Sequence, residues 1–405
     1  MGPVVLKKIG QVVAVGLGTL VLAFAVAVLW PPAAAPLATT AQAYVIEEVR
    51  VIDVEAGRAG EPVDVVVRDN VIAAIGTARA DAGLVRVNGR GGYLVPGFWD
   101  MHTHGFQLSP QLHLPLFVAN GVTSVRDLMD CPKPQDTLIA CVSDKRRWTA
   151  AVEAGRMTAP RIVEVASYYF EDPALTPAEV SARAAIYKAR GVDALKVYNR
   201  VPRPAYFRAA AEARAGGLRL VGHLPKAVAL DEAVTAGQIS IEHAHALPRH
   251  CFNRTRDWRA GGLDALTPTA FAELIVAEHR PAACQRVFAA MRAAGTWYVP
   301  THVTREEDAR AGDAAFVNDP RLAYLDPLSR WAFRDDLAGT VEAYPNERGR
   351  RALDAYFRHG LRLTGEAQRA GVRVLVGTDT AIGGFRYHDE MALLVRAGEA
   401  EVRAS

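Results

Sequence analysis

Cysteine is scarce in this chain: four in 405 residues, at 131, 141, 251 and 284. No two of them have the Cys-x-x-Cys spacing, so a cysteine-built zinc site has no support. Basic blocks are absent as well. Forty-seven Lys and Arg stand against 44 Asp and Glu, a formal net charge of +3. That balance offers no polybasic footprint, so nucleic acid is not an expected partner. Internal repeats beyond an alternation of strand and helix patterns are lacking, and the one low-complexity stretch is a Pro/Ala linker near residues 31–36. What remains is 50% hydrophobic, enough to bury one large core.

The cysteines that are present bracket two loops, 131 with 141 and 251 with 284. Local pairing would give two disulfides, although four cysteines allow three connectivities. Such bridges belong to an oxidising compartment. The amino end agrees: Lys7 and Lys8 precede an uncharged run over residues 9–30, long enough to cross a bilayer. It reads either as a cleaved signal, with Ala-Gln-Ala at 41–43, or as an uncleaved anchor with the lysines on the cytoplasmic side. In both readings the body of the protein is exported, to the periplasm or to the outer face of the membrane.

The chemistry gathers at strand ends. In Val-Pro-Gly-Phe-Trp-Asp-Met-His-Thr-His-Gly at 95–105, His102 and His104 are two apart on a strand, so both imidazoles aim at one point. Four further polar residues end short β-branched runs: Lys196 after 192–195, His223 after 218–222, His243 after 239–242 and Asp379 after 372–378. In a (β/α)₈ barrel such positions converge on one mouth. Expected barrel strands are 97–102, 123–128, 161–166, 194–198, 219–222, 240–243, 297–302 and 373–377. Thr176-Pro-Ala-Glu179 is a capping box that opens a helix to about 190, and Thr267-Pro268 opens another through 279. The connections 244–295 and 303–349 are too long for simple loops and are expected to carry helices over the mouth. Upstream, 44–52, 63–68, 71–76 and 85–87 read as short strands.

As a set, these residues and the words Gly-His-Leu-Pro (222–225), Ile-Glu-His (241–243) and Gly-Thr-Asp-Thr (377–380) resemble the amidohydrolase superfamily, in its imidazolonepropionase-like and prolidase-like branch. The resemblance spans roughly residues 45–398. It implies an α/β fold: a (β/α)₈ TIM-like barrel at 96–405, a small β-sandwich part at 44–95, and a leader or anchor plus linker at 1–43. The family continues into further strands where this chain reaches Ser405, so the expectation is a barrel truncated at its carboxyl end.

The resemblance implies that His102, His104, Lys196, His223, His243 and Asp379 hold one or two divalent metals, expected to be Zn²⁺. Lys196 makes sense between two cations only as a carbamate, because a free ammonium would repel them. Asp379 would move the proton during metal-assisted hydrolysis. Tyr198, two residues beyond Lys196, and His302, in the equivalent place on strand 7, are candidate substrate contacts. Tyr168 and Tyr169 follow strand 3, and His245 reads as loop. The implied activity is cleavage of C–N amide bonds in small cyclic amides, N-acyl amino acids or dipeptides. The same site could open lactones or phosphoesters, and the chain could instead be a truncated, non-catalytic envelope protein.

Overall fold

The computed structural model describes residues 3–29, 43–76, 83–380 and 383–399. The chain divides into two compact units, Pro36–Phe98 and Met1–Ala35 with Trp99–Ser405. In the first, β1 (Ala43–Asp53), β2 (Arg58–Arg68), β3 (Val71–Gly76), β4 (Val85–Asn88) and β5 (Tyr93–Leu94) form one five-stranded sheet in the order β3-β2-β1-β4, with β5 also on β1. Two packed sheets were expected here; among the described residues there is one. Asp69 and Asn70 join β2 to β3 with φ of 49° and 62°. Asp and Asn tolerate that left-handed turn better than other side chains, and a two-residue turn of this hand matches strand twist.

The second unit is α/β, with parallel sheets. One sheet takes β6 (Phe98–Thr103), β7 (Val122–Asp127) and β8 (Arg161–Val165) in sequence order. The other takes β9 (Ala194–Val197), β10 (Arg219–Gly222), β11 (Gln238–Glu242), β12 (Trp297–Val299) and β13 (Arg373–Val374), also in sequence order. Backbone bonds pass between the two sheets on both sides. Asp193 N donates to Val165 O and Ser167 N to Ala194 O, each at 2.8 Å, while Met101 N donates to Val376 O at 2.9 Å. Strands β9 and β10 are almost wholly buried, as strands covered on both faces must be.

Helices follow the strands. Pro177–Arg190 starts at the predicted capping box, with Glu179 N donating to Thr176 Oγ1 and Thr176 N donating to Glu179 Oε2. The long connection after β11 carries Ala246–His250, Thr255–Arg259, Pro268–Ala277 and Pro281–Ala294. The one after β12 carries His302–Ala309, Ala314–Val317, Pro327–Ala343 and Glu347–Arg369. Both expected disulfides are present, Cys131–Cys141 and Cys251–Cys284.

At the amino end Pro3–Leu29 is helical. Among the described residues no helix is long and apolar enough to cross a membrane, so the anchor expected at 9–30 gains no support. The closing residues 400–405 and the linker lie outside the described residues.

Candidate metal centre

His102 lies in the last pleat of β6 and His104 just past its end, their ring centroids 5.3 Å apart. The segment after β13 brings up Asp379, whose N–H donates to His102 O at 2.8 Å. Gly377 permits that approach, since a Cβ there would sit 2.9 Å from His102 Cβ. Asp379 Oδ1 lies 2.9 Å from His104 Nε2 and 3.4 Å from His102 Nε2, and its Oδ2 lies 3.7 Å from His243 Nδ1. One ligand atom from each of His102, His104 and Asp379 fits within 4.8 Å. His223 N donates to Val197 O and His243 N to Val299 O, which fixes both residues just past β10 and β11. Their Nε2 atoms face each other at 2.9 Å. Lys196 is buried in β9, two residues before Tyr198, whose ring centroid lies 3.7 Å from that of His223.

The backbone is strained at this point. His243 (φ 74°), Asp379 (φ 49°) and Thr301 (φ 47°) are left-handed without being glycine. Such conformations cost about 1–3 kcal/mol each and persist where neighbours over-determine them. Here they have a use: Glu242 and His243 are consecutive, so strand alternation would send them to opposite faces. The turn at His243 lets Glu242 reach His102 Nδ1 at 3.1 Å while the His243 ring stands 5.0 Å from the His102 ring.

A buried polar layer supports the ligands. Glu242 Oε1 accepts from Arg126 Nη2 at 2.8 Å and Ser240 Oγ at 2.6 Å, and Arg126 Nη1 donates to Ser240 Oγ. Burial raises the Glu242 pKa, but Arg126 and His102 outweigh it and hold the carboxyl at about 2. Asp100 accepts from His102 N, Thr378 N and Thr378 Oγ1, tying β6 to the Asp379 segment, and burial pushes it up to about 6.

These surroundings set the charge states. Burial, with further repulsion from neighbouring cations, lowers His104 and takes His223 well below its usual range; burial holds His243 at about 3. Burial thus favours the neutral form of His104, His223 and His243, the form that binds metal. Burial raises the Asp379 pKa, but the facing histidines, His102 first, outweigh it and keep the carboxyl ionised. Burial lowers Lys196, and no carboxylate among the described residues pairs with it. Glu242 Oε2 faces His102 Nδ1 at 3.1 Å, and His102 Nε2 is buried with no hydrogen-bond partner, 3.4 Å from Asp379 Oδ1. The donor set fits a divalent metal.

No family model and no curated relative matches the sequence. Solved structures do. The chain is similar to a bottromycin amidohydrolase, at a TM-score of 0.62 and 24% identity over 91% of this chain and 78% of that one. It is similar to an Xaa-Pro dipeptidase with methionine in its active site, at 0.52 and 17%, covering 88% and 84%. A prolidase-like structure from Bifidobacterium longum matches at 0.56 and 17%, covering 88% and 79%. The likeness is one of fold: the chain shares the overall fold of these amidohydrolase and prolidase structures.

On that fold a cavity of about 370 Å³ opens over the centre, lined by Tyr198, His223, His243 and Asp379 among the predicted residues. His302 does not join them. It starts the helix His302–Ala309 rather than ending β12, and its Nε2 is hydrogen-bonded at 2.8 Å to Thr364 on Glu347–Arg369. Pro300 is the reason: it has no N–H for the ladder, β12 ends at Val299, and the alternation no longer reaches residue 302. The cavity also has His245, whose ring lies parallel to that of His243 at 5.5 Å, with Arg249, Arg305, Glu307 and Asp308. Burial raises Glu307 to about 7 against the pull of Arg386. Sequence reading took His245 as loop and passed over the rest, because long connections give no strand register to read. Glu242 and Arg126 were passed over too, although a charged residue inside the β7 pattern was a signal. Tyr168 and Tyr169 stack at 4.3 Å, and Tyr169 continues onto Tyr198 at 4.9 Å. Two other clusters, Asp130–Cys131–Cys141 and His279–Cys284–Glu366, use cysteines committed to disulfides.

Proposed function

We propose that this chain is a metal-dependent hydrolase of C–N amide bonds in small cyclic amides, N-acyl amino acids or dipeptides. The eight strands β6–β13 are read as a closed (β/α)₈ barrel, supported by the backbone bonds that join the two sheets on both sides. The observation that carries the function is the meeting of His102, His104 and Asp379 around the unpartnered His102 Nε2, beside the His223–His243 pair. The amidohydrolases and prolidases of like fold support the same reaction class.

His102, His104 and Asp379 would hold one divalent ion, with Zn²⁺ suiting the donors, and His223 and His243 a second. Metal held there would lower the pKa of water towards neutrality and polarise a scissile carbonyl. The chain's own groups do the remainder. Asp379, ionised, takes a proton from the attacking water and passes it to the leaving nitrogen. Tyr198, its pKa raised by burial and by Asp379, keeps its proton and donates to the carbonyl oxygen. Lys196, buried and without an acid partner, favours the neutral amine that reacts with carbon dioxide, and the carbamate so formed would supply the bridging anion. Export of the enzyme is supported by its two disulfides.

The test is metal content and turnover on one preparation. Purified protein should carry up to two divalent ions and hydrolyse members of a panel of dipeptides, N-acyl amino acids and cyclic amides. Chelation should stop it and zinc should restore it. A protein that binds no metal and is inert with zinc and bicarbonate present ends the proposal.

A further inference from the structure

A second cavity, of about 420 Å³, shares no lining residue with the one over the metal centre. Its walls are the segment 229–231 after β10, residues 250–259 after β11, and Arg280 with the first two turns of the helix Pro281–Ala294. Two of these walls are fastened together by the Cys251–Cys284 disulfide and by Arg280 N donating to Cys251 O at 2.7 Å.

The charge is one-sided. Arg256, Arg259, Arg280 and Arg286 line the cavity, with Asp231 the only carboxylate among its lining residues. No ion pair or side-chain hydrogen bond joins Arg256, Arg280 or Arg286 to another described residue. Arg259 reaches Ala227 O and Glu232 through Nη2, and its Nε–H is buried with no acceptor. His250, only 7% exposed, packs its ring on Trp258 at 5.7 Å, and its nitrogens have no partner among the described residues. The helix Pro281–Ala294 begins at the cavity with no side-chain cap and no acid in its first turn.

Each feature lacks the same thing. Arg256, Arg280 and Arg286 are exposed and uncommitted, so their guanidinium groups can turn onto an anion placed among them. A buried N–H without an acceptor is destabilising until one arrives. An open helix N-terminus is a ready anion site. A tetrahedral or planar oxyanion answers all three, and arginine forks match its geometry. The volume is many times that of one water, about 30 Å³ in the liquid, so the anion has room for an organic body. We propose that this cavity is a binding site for a small, multiply charged oxyanion, a phosphate ester or a polycarboxylate, distinct from the substrate.

The experiment is calorimetric titration of the full-length, disulfide-intact protein with pyrophosphate, inorganic phosphate and citrate in turn, repeated on R280A/R286A and on D379N. The expected result is saturable binding that weakens about tenfold or more in R280A/R286A, falls with added salt, and is unchanged in D379N. Preference between pyrophosphate and citrate tells phosphoryl from carboxylate ligands. Absence of saturable binding for all three probes overturns the proposal. So does equal binding by R280A/R286A and the parent, or loss in D379N alone, which would place the anion at the metal centre.

Discussion

His102 is held by two carboxylates with different tasks. Glu242 faces Nδ1, while Asp379 faces Nε2, which is buried with no hydrogen-bond partner. Replacing Glu242 by Gln removes the charge that faces and orients His102, and metal affinity should drop about 10–100-fold by metal-competition titration. The same change leaves buried Arg126 without its anion, a loss of about 3–5 kcal/mol in urea unfolding. Unaltered metal affinity would show that Glu242 serves the fold alone. Asp379→Asn keeps the backbone bond to His102 but not the proton acceptor, so kcat should fall about 10²–10⁴-fold with a native circular dichroism spectrum. Lys196, His223, His243 and Asp379 were legible because each closes an apolar run. Glu242 was not, since it neighbours His243 and alternation assigns it to the other face; only the left-handed turn at His243 reverses that.

Strands and caps carry their signals locally, which is why β6 to β11 and the helix Pro177–Arg190 could be read from spacing and a capping box. The roof could not be read this way. Its helices choose their places by packing: Pro268–Ala277 buries Ala272 and Ile275 in a cluster with Phe252, Trp258 and Tyr356 from distant segments. The disulfides secure these connections. In the chain-entropy model the bridge closing the longer loop, Cys251–Cys284 with a separation of 33, contributes about 4 kcal/mol, and Cys131–Cys141 with a separation of 10 about 3 kcal/mol. Paired serine substitutions should therefore lower the urea midpoint in that order, the larger drop at 251/284. The reverse order would mean that the segment 251–284 is already compact in the unfolded chain.

For the whole molecule the main lever is the set of groups whose protons burial has rearranged. His243, His250, His302 and His359 are each lowered to about 3, from 6.5, chiefly by burial. Between those values the unfolded chain binds protons that the folded one refuses, so stability is full above about 6.5 and falls as the medium turns acid. Three buried carboxyls work in the opposite sense, Asp100 among them, raised by burial from 3.8 to about 6. Burial raises Glu390, which accepts from His302 N and Val303 N, to about 8, and Glu307 to about 7, from 4.5. The folded state keeps protons there that the unfolded state releases, so stability falls as pH rises through 4.5 to 8. Below 6.5 the more numerous histidines win; above it only the carboxyls still titrate. The urea midpoint of metal-free protein should thus peak near pH 6.5 and decline on both sides, and Glu390→Gln should flatten the alkaline limb while leaving the acid limb in place. A midpoint that climbs steadily from pH 6.5 to 9 would show that Glu390 and Glu307 are ionised throughout, stabilised by the amides and guanidinium they face.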